Sequence, residues 1–100
     1  NVKVLYNKAK LLKILNKPIE ALGVYERALE IDPKNVDVLN NTAVLLHALN
    51  RPEEALVLYD RALEQDSNAI HVLYNKANVL QSLGQPKEAL HIYNEITALS

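Results

Sequence analysis

The sequence predicts an all-α protein, an α-solenoid of six helices arranged as three stacked helix pairs. One observation is a repeat period of 34 residues, which separates Pro18 from Pro52 and Pro52 from Pro86. The other is that each repeat contains two stretches of roughly 14 residues with apolar side chains at helical spacing, whereas no stretch alternates like a strand. A fixed period of this length is typical of arrays in which each unit buries its apolar face against its neighbour.

Two short sequence blocks recur in every repeat and set its register. The first reads Val-Leu-x-Asn-x-Ala and occupies residues 4–9, 38–43 and 72–77. The second reads Pro-x-Glu-Ala-Leu, and a tyrosine follows each copy at the same distance. Its copies lie at 18–22, 52–56 and 86–90, with Tyr25, Tyr59 and Tyr93 after them. We therefore expect each repeat to make the same packing contacts with equivalent residues.

Turn and capping residues mark the ends of the predicted helices. Asn16, Asn50 and Gly84 tolerate the left-handed backbone that follows a helix end, and a proline two residues later suits the next helix start. Residues 32–35 and 66–68 supply turn and N-cap side chains between the repeats. The predicted helices span residues 2–15, 18–31, 36–49, 52–65, 70–83 and 86–99.

These blocks resemble the tetratricopeptide repeat family, whose pattern places alanines, an aromatic residue and a junction proline at set positions. The matching residues are Ala9, Ala43 and Ala77; Ala21, Ala55 and Ala89; Tyr25, Tyr59 and Tyr93; Ala28 and Ala62; and Pro33. The chain departs from the family in using leucine where Trp or Tyr is frequent, and Ser67 where the second junction has proline. These leucines are Leu5, Leu39, Leu73, Leu12, Leu46 and Leu80. The resemblance covers the whole chain.

The resemblance implies a right-handed superhelix whose first helices line a concave groove that binds extended peptides. It therefore implies a protein–protein interaction module without catalytic activity. The expected organisation is one domain over residues 1–100, with repeats at 2–35, 36–69 and 70–100. Because Asn1 is already in register and no initiator Met precedes it, we expect a piece of a longer chain.

The apolar positions of the two blocks are expected to form the core, with alanine allowing paired helices to approach closely. In each first helix the apolar side chains cover a wide arc, so that helix is expected to contact several neighbours. In the first repeat the arc contains Val2, Val4, Leu5, Ala9, Leu11, Leu12 and Leu15. Lys8, Thr42 and Lys76 interrupt it. Such side chains either extend past a helix end or pair with an acid of the preceding helix, and the sequence leaves both options open.

The remaining arc of the first helices is the candidate peptide-binding site. One equivalent mid-helix position is occupied by Asn7, Asn41 and Asn75. Asparagine is unfavourable there, because its side chain competes for backbone hydrogen bonds, so its recurrence indicates a specific role. Their amides both donate and accept, so a ladder of three suits an extended peptide backbone. The alternative is that each asparagine braces the helix of the neighbouring repeat. The other candidate groove residues are Lys3, Tyr6, Lys10, Lys13, Asn40, Tyr74 and Asn78.

Positive charge is concentrated in the first repeat, where Lys3, Lys10 and Lys13 fall on the groove arc. The expected partner is therefore a protein or peptide with an acidic segment.

One variety of the family grips acidic chaperone tails with a carboxylate clamp. By resemblance, that clamp needs basic residues at the positions of Tyr6, His71 and Asn75, and an asparagine at Lys10. Of its positions the chain matches Asn41 alone, so we exclude this clamp.

Composition argues against several other classes of function. The net charge of −1 gives no basic stripe for nucleic acid, and the apolar runs are too short for a membrane span. Cysteine is absent, and the histidines at 47, 71 and 91 lie in different predicted helices, so we predict no metal site and no cofactor. No set of residues resembles an enzyme active site. With no signal-peptide pattern in the sequence, a cytoplasmic location is expected.

A second class of function is an assembly element that self-associates end to end. Ile96 stands where Ala28 and Ala62 stand in the earlier repeats, which suggests an altered junction at the last helix. We predict a contiguous apolar patch at the C-terminal end that is covered by another copy or by a further helix. Its residues are Leu90, Tyr93, Ile96 and Leu99.

Overall fold

The computed structural model describes residues 1–99, so Ser100, the predicted last residue of the third repeat, lies outside the described residues. The described part of the chain is helical and contains no strand. Its helices are α1 (Val2–Ile14), α2 (Pro18–Ile31), α3 (Val36–Ala48), α4 (Pro52–Gln65), α5 (Ile70–Ser82) and α6 (Pro86–Leu99). The six predicted helices are confirmed. Each first helix ends one residue earlier than predicted, because Leu15, Leu49 and Leu83 are the cap residues.

The turn inside each pair is closed by the predicted residues. Asn16, Asn50 and Gly84 have φ values of 62°, 64° and 74°, in the left-handed region. In the first turn, Asn16 N donates to Lys13 O at 3.0 Å and Lys17 N donates to Leu12 O at 2.9 Å. This pattern satisfies the last carbonyls of a helix and recurs in the other two turns. The short turn makes the helices of each pair antiparallel neighbours.

Packing runs along the chain, since each helix contacts its pair partner most extensively and the next pair through α2–α3 and α4–α5. The first helices α3 and α5 also touch directly. Every alanine named in the repeat blocks is buried, as predicted. The largest fully buried side chains include Tyr25, Tyr59 and Leu39. The array is elongated, with extents of 36 × 25 × 19 Å.

The expectation that the apolar positions of the blocks form the core is wrong for Val4, and two further residues of the same arc are exposed as well. Val4, Leu11 and Leu15 are 61%, 60% and 66% exposed. Val38 and Val72, the residues equivalent to Val4 in the second and third repeats, are fully buried. The difference arises because α2 covers this arc on α3 and α4 covers it on α5, whereas no helix of the described residues precedes α1.

The structure decides between the options for the polar residues in the apolar arc. Lys76 Nζ pairs with Asp60 Oδ1 of the preceding helix at 2.7 Å. Thr42 is buried, and its hydroxyl donates to the backbone oxygen of Val38 at 2.6 Å. Lys8 is exposed because α1 has no preceding helix in the described residues. The equivalent position therefore has three different environments.

The buried tyrosines make the fold sensitive to alkali. Burial raises the pKa of Tyr25 from its ordinary value of 10 to about 12, and it also raises the pKa of Tyr59. Below pH 10 both states of the chain keep these phenols neutral, so the full stability is present. As pH rises from 10 towards 12, the unfolded chain ionises first and stability is lost. We expect a loss of about 1 kcal/mol per tyrosine by pH 11 in urea unfolding experiments.

A Tyr25→Phe variant is the control for this pH dependence. It removes one ionisable phenol, so its stability should fall less steeply between pH 10 and 11 than that of the parent chain. Equal slopes for the two chains would contradict the assignment.

Candidate functional site

The first helices α1, α3 and α5 lie side by side and are joined by polar side chains 35 residues apart in sequence. Asn41 Nδ2 donates to Tyr6 Oη at 2.6 Å, which joins α3 to α1. Asn75 Nδ2 donates to Asn40 Oδ1 at 3.1 Å, which joins α5 to α3. We call the surface along these three helices the groove. The bracing role that the sequence left open is thus present at two of the three asparagines.

The three ladder asparagines differ in exposure. Asn7 is exposed, whereas Asn41 and Asn75 are half-buried. Asn41 and Asn75 are less exposed than Asn7 because their hydrogen bonds hold the two amides against the preceding first helix. The structure thus brings the ladder residues onto neighbouring helices at equivalent positions, as the period requires.

Asn40 requires a correction. We predicted that it lines the groove, but its side chain is only 8% exposed. Its Oδ1 accepts the hydrogen bond from Asn75, so Asn40 holds the side chain of Asn75 in place beneath the groove surface. The period alone did not reveal this, because the equivalent residues Tyr6 and Tyr74 are larger and more exposed.

Two cavities lie between α1 and α3 within the groove. One has a volume of about 430 Å³ and is lined by Lys3, Tyr6, Asn7 and Asp37, among others. The other has a volume of about 380 Å³, and its lining includes Lys10, Lys13, Ile14, Tyr25 and Asn41. The Tyr6–Asn41 hydrogen bond connects a residue of the first cavity to one of the second.

The charges of these cavities differ. The first contains Lys3 and also Asp37, which offset each other, whereas the second contains Lys10 and Lys13 without a carboxylate in its lining. The Lys10 ammonium lies 5.1 Å from the centre of the Tyr6 ring, within the range of a cation–π contact. The second cavity is therefore the more positive part of the groove.

The third repeat contributes aromatic and amide groups. Tyr74 packs edge-on against Tyr93 with ring centres 5.9 Å apart, and it remains 52% exposed. Tyr93 Oη donates to Asn78 Oδ1 at 3.1 Å. Sequence reasoning missed one further link, between His47 Nε2 and Ser82 Oγ at 3.1 Å. Its signal was the same spacing of 35 residues, at the far end of α3 and α5.

Both ends of the array expose apolar side chains. At the C-terminal end Leu90 and Leu99 are exposed, whereas Tyr93 and Ile96 are half-buried against a core cluster formed by α5 and α6. The predicted C-terminal patch is therefore less open at its centre than at its edges. At the other end, the exposed apolar residues are Val4 and Leu11 of α1 and Leu15, which caps that helix.

Two other kinds of site are absent from residues 1–99. None of these helices has the length and apolar character needed to cross a membrane. In the same residues, no three His, Asp or Glu side chains come together as a set of metal ligands.

Comparison with known proteins supports the fold. The sequence profile described as tetratricopeptide repeat matches residues 15–69 and residues 46–99. No curated protein matches the chain in sequence.

Solved structures resemble the whole chain. A MamA structure designated AMB-1 has a TM-score of 0.87 at 26% identity and covers 100% of this chain, which spans 59% of that chain. The second TPR of Spaghetti (RPAP3), bound to the HSP90 peptide SRMEEVD, has a TM-score of 0.90 at 18% identity. That match covers 99% of this chain and 92% of that one.

The profile match extends over both repeat blocks of the second and third repeats, and the helix pairs have the bounds that the period requires. The chain belongs to the tetratricopeptide repeat family.

Proposed function

We propose that this chain is a protein–protein interaction module that binds an extended peptide along Asn7, Asn41 and Asn75, without catalysis. The observation that carries the proposal is how Asn41 and Asn75 are held. Each donates one N–H to the preceding first helix, at 2.6 Å and 3.1 Å. A primary amide has a second N–H and an oxygen, which suit the C=O and N–H of a peptide backbone.

Bracing the neighbouring repeat and binding a peptide are compatible roles for these amides. The bond to Tyr6 or Asn40 fixes the orientation of the side chain before a ligand arrives. A fixed side chain loses little rotamer entropy on binding, so its hydrogen bonds contribute more to affinity. The bracing bonds therefore support the ladder hypothesis.

The acidic part of the ligand belongs over the second groove cavity. Lys10 and Lys13 line it without a carboxylate, whereas Asp37 offsets Lys3 in the first cavity. The relative solved with SRMEEVD holds a peptide rich in carboxylates, which makes an acidic ligand reasonable for this fold. The clamp residues excluded above are absent here, so the proposed contacts are those of Lys10 and Lys13.

Replacing Asn7 by alanine is the cleanest test of ligand contact. Its side chain forms no hydrogen bond to another described residue, so the fold should be unaffected. The affinity for a peptide selected on the parent chain from a random library should fall by about 0.5–1.5 kcal/mol. Asn41→Ala should cost at least as much, because it removes the brace as well. Fluorescence anisotropy measures both.

Asn94→Ala is the matched control, since Asn94 is an exposed asparagine of α6 outside the groove. It should leave the affinity unchanged. Salt should weaken the contribution of Lys10 and Lys13 but hardly alter the loss in Asn7→Ala. If Asn7→Ala and Asn94→Ala bind the selected peptide equally well, the proposed ladder does not contact the ligand.

A second candidate function is end-to-end assembly, which the apolar ends of the array favour. The face of α1 and the exposed Leu90 and Leu99 of α6 would be covered in such a stack. Leu90→Glu should then shift any oligomer towards monomer in light scattering across a concentration series. It is a better test than Ile96→Glu, because Ile96 also packs against the core.

Val57→Glu is the control for assembly, since Val57 is an exposed apolar residue of the central second helix. It should leave the oligomeric state unchanged. A chain that stays monomeric at every concentration would contradict the assembly function.

A further inference from the structure

A cavity lies between the second helices α2 and α4, away from the groove. Its volume is about 300 Å³, and its lining includes the buried or half-buried leucines at positions 22, 29, 46 and 58. Thr42 of α3 also lines it and is itself buried. The exposed carboxylates of Glu26 and Glu54 lie at its edge, together with Arg61. An apolar interior with charged groups at its edge is the usual character of a small binding pocket.

The next repeat shows what occupies the equivalent position. Lys76 stands where Thr42 stands one repeat earlier, and Asp60 stands where Glu26 stands. Lys76 Nζ reaches Asp60 Oδ1 at 2.7 Å, and its side chain is only 26% exposed. The aliphatic part of this lysine is therefore largely covered by protein while its ammonium pairs with the carboxylate.

Between α2 and α4 the lysine is missing but the carboxylate is retained. Thr42 is short, and its hydroxyl donates to Val38 O at 2.6 Å, so it does not extend to Glu26. A water-sized group occupies about 30 Å³, so the cavity has room for the four carbons and one nitrogen of a lysine side chain. The acid that pairs with Lys76 in the next repeat is thus kept without its lysine. The cavity beside Lys76 has a volume of about 330 Å³ and no lining residue from α4, whereas three α2 residues, among them Glu26, line the cavity beside Thr42.

The two arginines near the cavity bind groups other than Glu26. Arg51 binds Glu54 through two hydrogen bonds of 2.9 Å and 2.6 Å, and Arg61 donates to Pro33 O at 3.0 Å. No ion pair joins Glu26 to another residue in the described part of the chain. Arg51 is close enough to Glu26 for their charges to interact, but the Arg51 guanidinium is bound to Glu54. Glu26 is therefore the carboxylate at this edge that is open to an outside cation.

We propose that this cavity binds a primary aliphatic ammonium, namely a lysine side chain of a partner protein. The aliphatic stem lies against Leu22, Leu46 and Leu58, and the ammonium pairs with Glu26. This contact site lies between the second helices, with Thr42 and Leu46 of α3 in its lining, and shares no lining residue with the two groove cavities. Whether lysine binds in this cavity does not depend on whether a peptide binds along the asparagines.

The test uses n-butylammonium, which has the atoms of a lysine side chain beyond Cα, and the neutral n-butanol as its counterpart. Backbone amide shifts of the parent chain should move around α2 and α4 on titration with butylammonium, with an affinity on the order of millimolar. Glu26→Gln should weaken butylammonium binding about two- to fivefold, as expected for an exposed ion pair, and leave butanol binding unchanged. Glu30→Gln, an exposed acid of α2 outside the lining, is the matched control and should have no effect.

The variant Thr42→Lys provides a second, independent test of the proposal. The new lysine should pair with Glu26 as Lys76 pairs with Asp60 in the next repeat, so butylammonium binding should be lost while the helical spectrum is retained. If this variant does not fold, the Glu26→Gln result alone tests the proposal, because Glu26 is exposed and its replacement should leave the fold intact. Equal effects of Glu26→Gln on both probes, or butylammonium binding that persists in folded Thr42→Lys, would overturn the proposal.

Discussion

Tyr59→Ala is expected to destabilise the array by about 3–5 kcal/mol. Tyr59 is 1% exposed and belongs to the main core cluster, on the helix that packs against both α3 and α5. Removing its ring leaves a cavity at the centre of the chain, where neither neighbouring pair can easily close it. A folded domain of this size has a total stability of roughly 5–15 kcal/mol. The variant should thus lose a large share of it in urea or thermal unfolding followed by circular dichroism.

Two other tyrosine variants make the test specific. Tyr59→Phe keeps the ring and should retain most of the stability. Tyr74→Ala removes a ring that is half exposed and should cost much less. A Tyr59→Ala chain as stable as Tyr74→Ala would show that the central pair is not the core of the array.

Ala62→Ile is expected to weaken the junction between the second and third pairs by about 1–3 kcal/mol. Ala62 is fully buried on α4, which packs against α5. Extra methyl groups at this site force the helices apart, because the interior has no free space to accept them. The equivalent residue of α6 is Ile96, which is half-buried and has no further helix pair packed on it within residues 1–99.

Ala98→Ile is the control for this substitution, since Ala98 is an exposed alanine of α6. It carries the same small loss of helix propensity without the overpacking. Hydrogen exchange should show that Ala62→Ile opens α5 and α6 more readily than the rest of the chain. Equal stability of the two variants would contradict close packing at Ala62.

The helices and their turns could be predicted from the sequence because local chemistry determines them. Asn16, Asn50 and Gly84 adopt the left-handed conformation that their types favour, and the prolines begin the next helices. The buried alanines, together with Tyr25 and Tyr59, followed from the period, since equivalent positions covered by neighbours on both sides make equivalent contacts in a stacked array.

What the sequence could not predict depends on neighbours rather than on residue type. Val4 and Val38 are the same residue at the same repeat position, yet one is exposed and the other buried, because exposure depends on the preceding helix. Asn40 and Asn41 are adjacent in sequence but differ in their contacts across helices. Asn40 accepts a hydrogen bond from Asn75 beneath the groove, whereas Asn41 donates one to Tyr6 and lines the groove. The cavity beside Thr42 appears only when that residue is compared with Lys76 in three dimensions.

The central claim is that a ligand lies along α1, α3 and α5. Hydrogen–deuterium exchange of the chain with and without a library-selected peptide tests this claim most directly. We expect protection at Asn7, Asn41 and Asn75 and around Lys10 and Lys13, with α2, α4 and α6 unchanged. Protection confined to α2, α4 and α6, or undiminished in a chain with all three asparagines replaced by alanine, would contradict it.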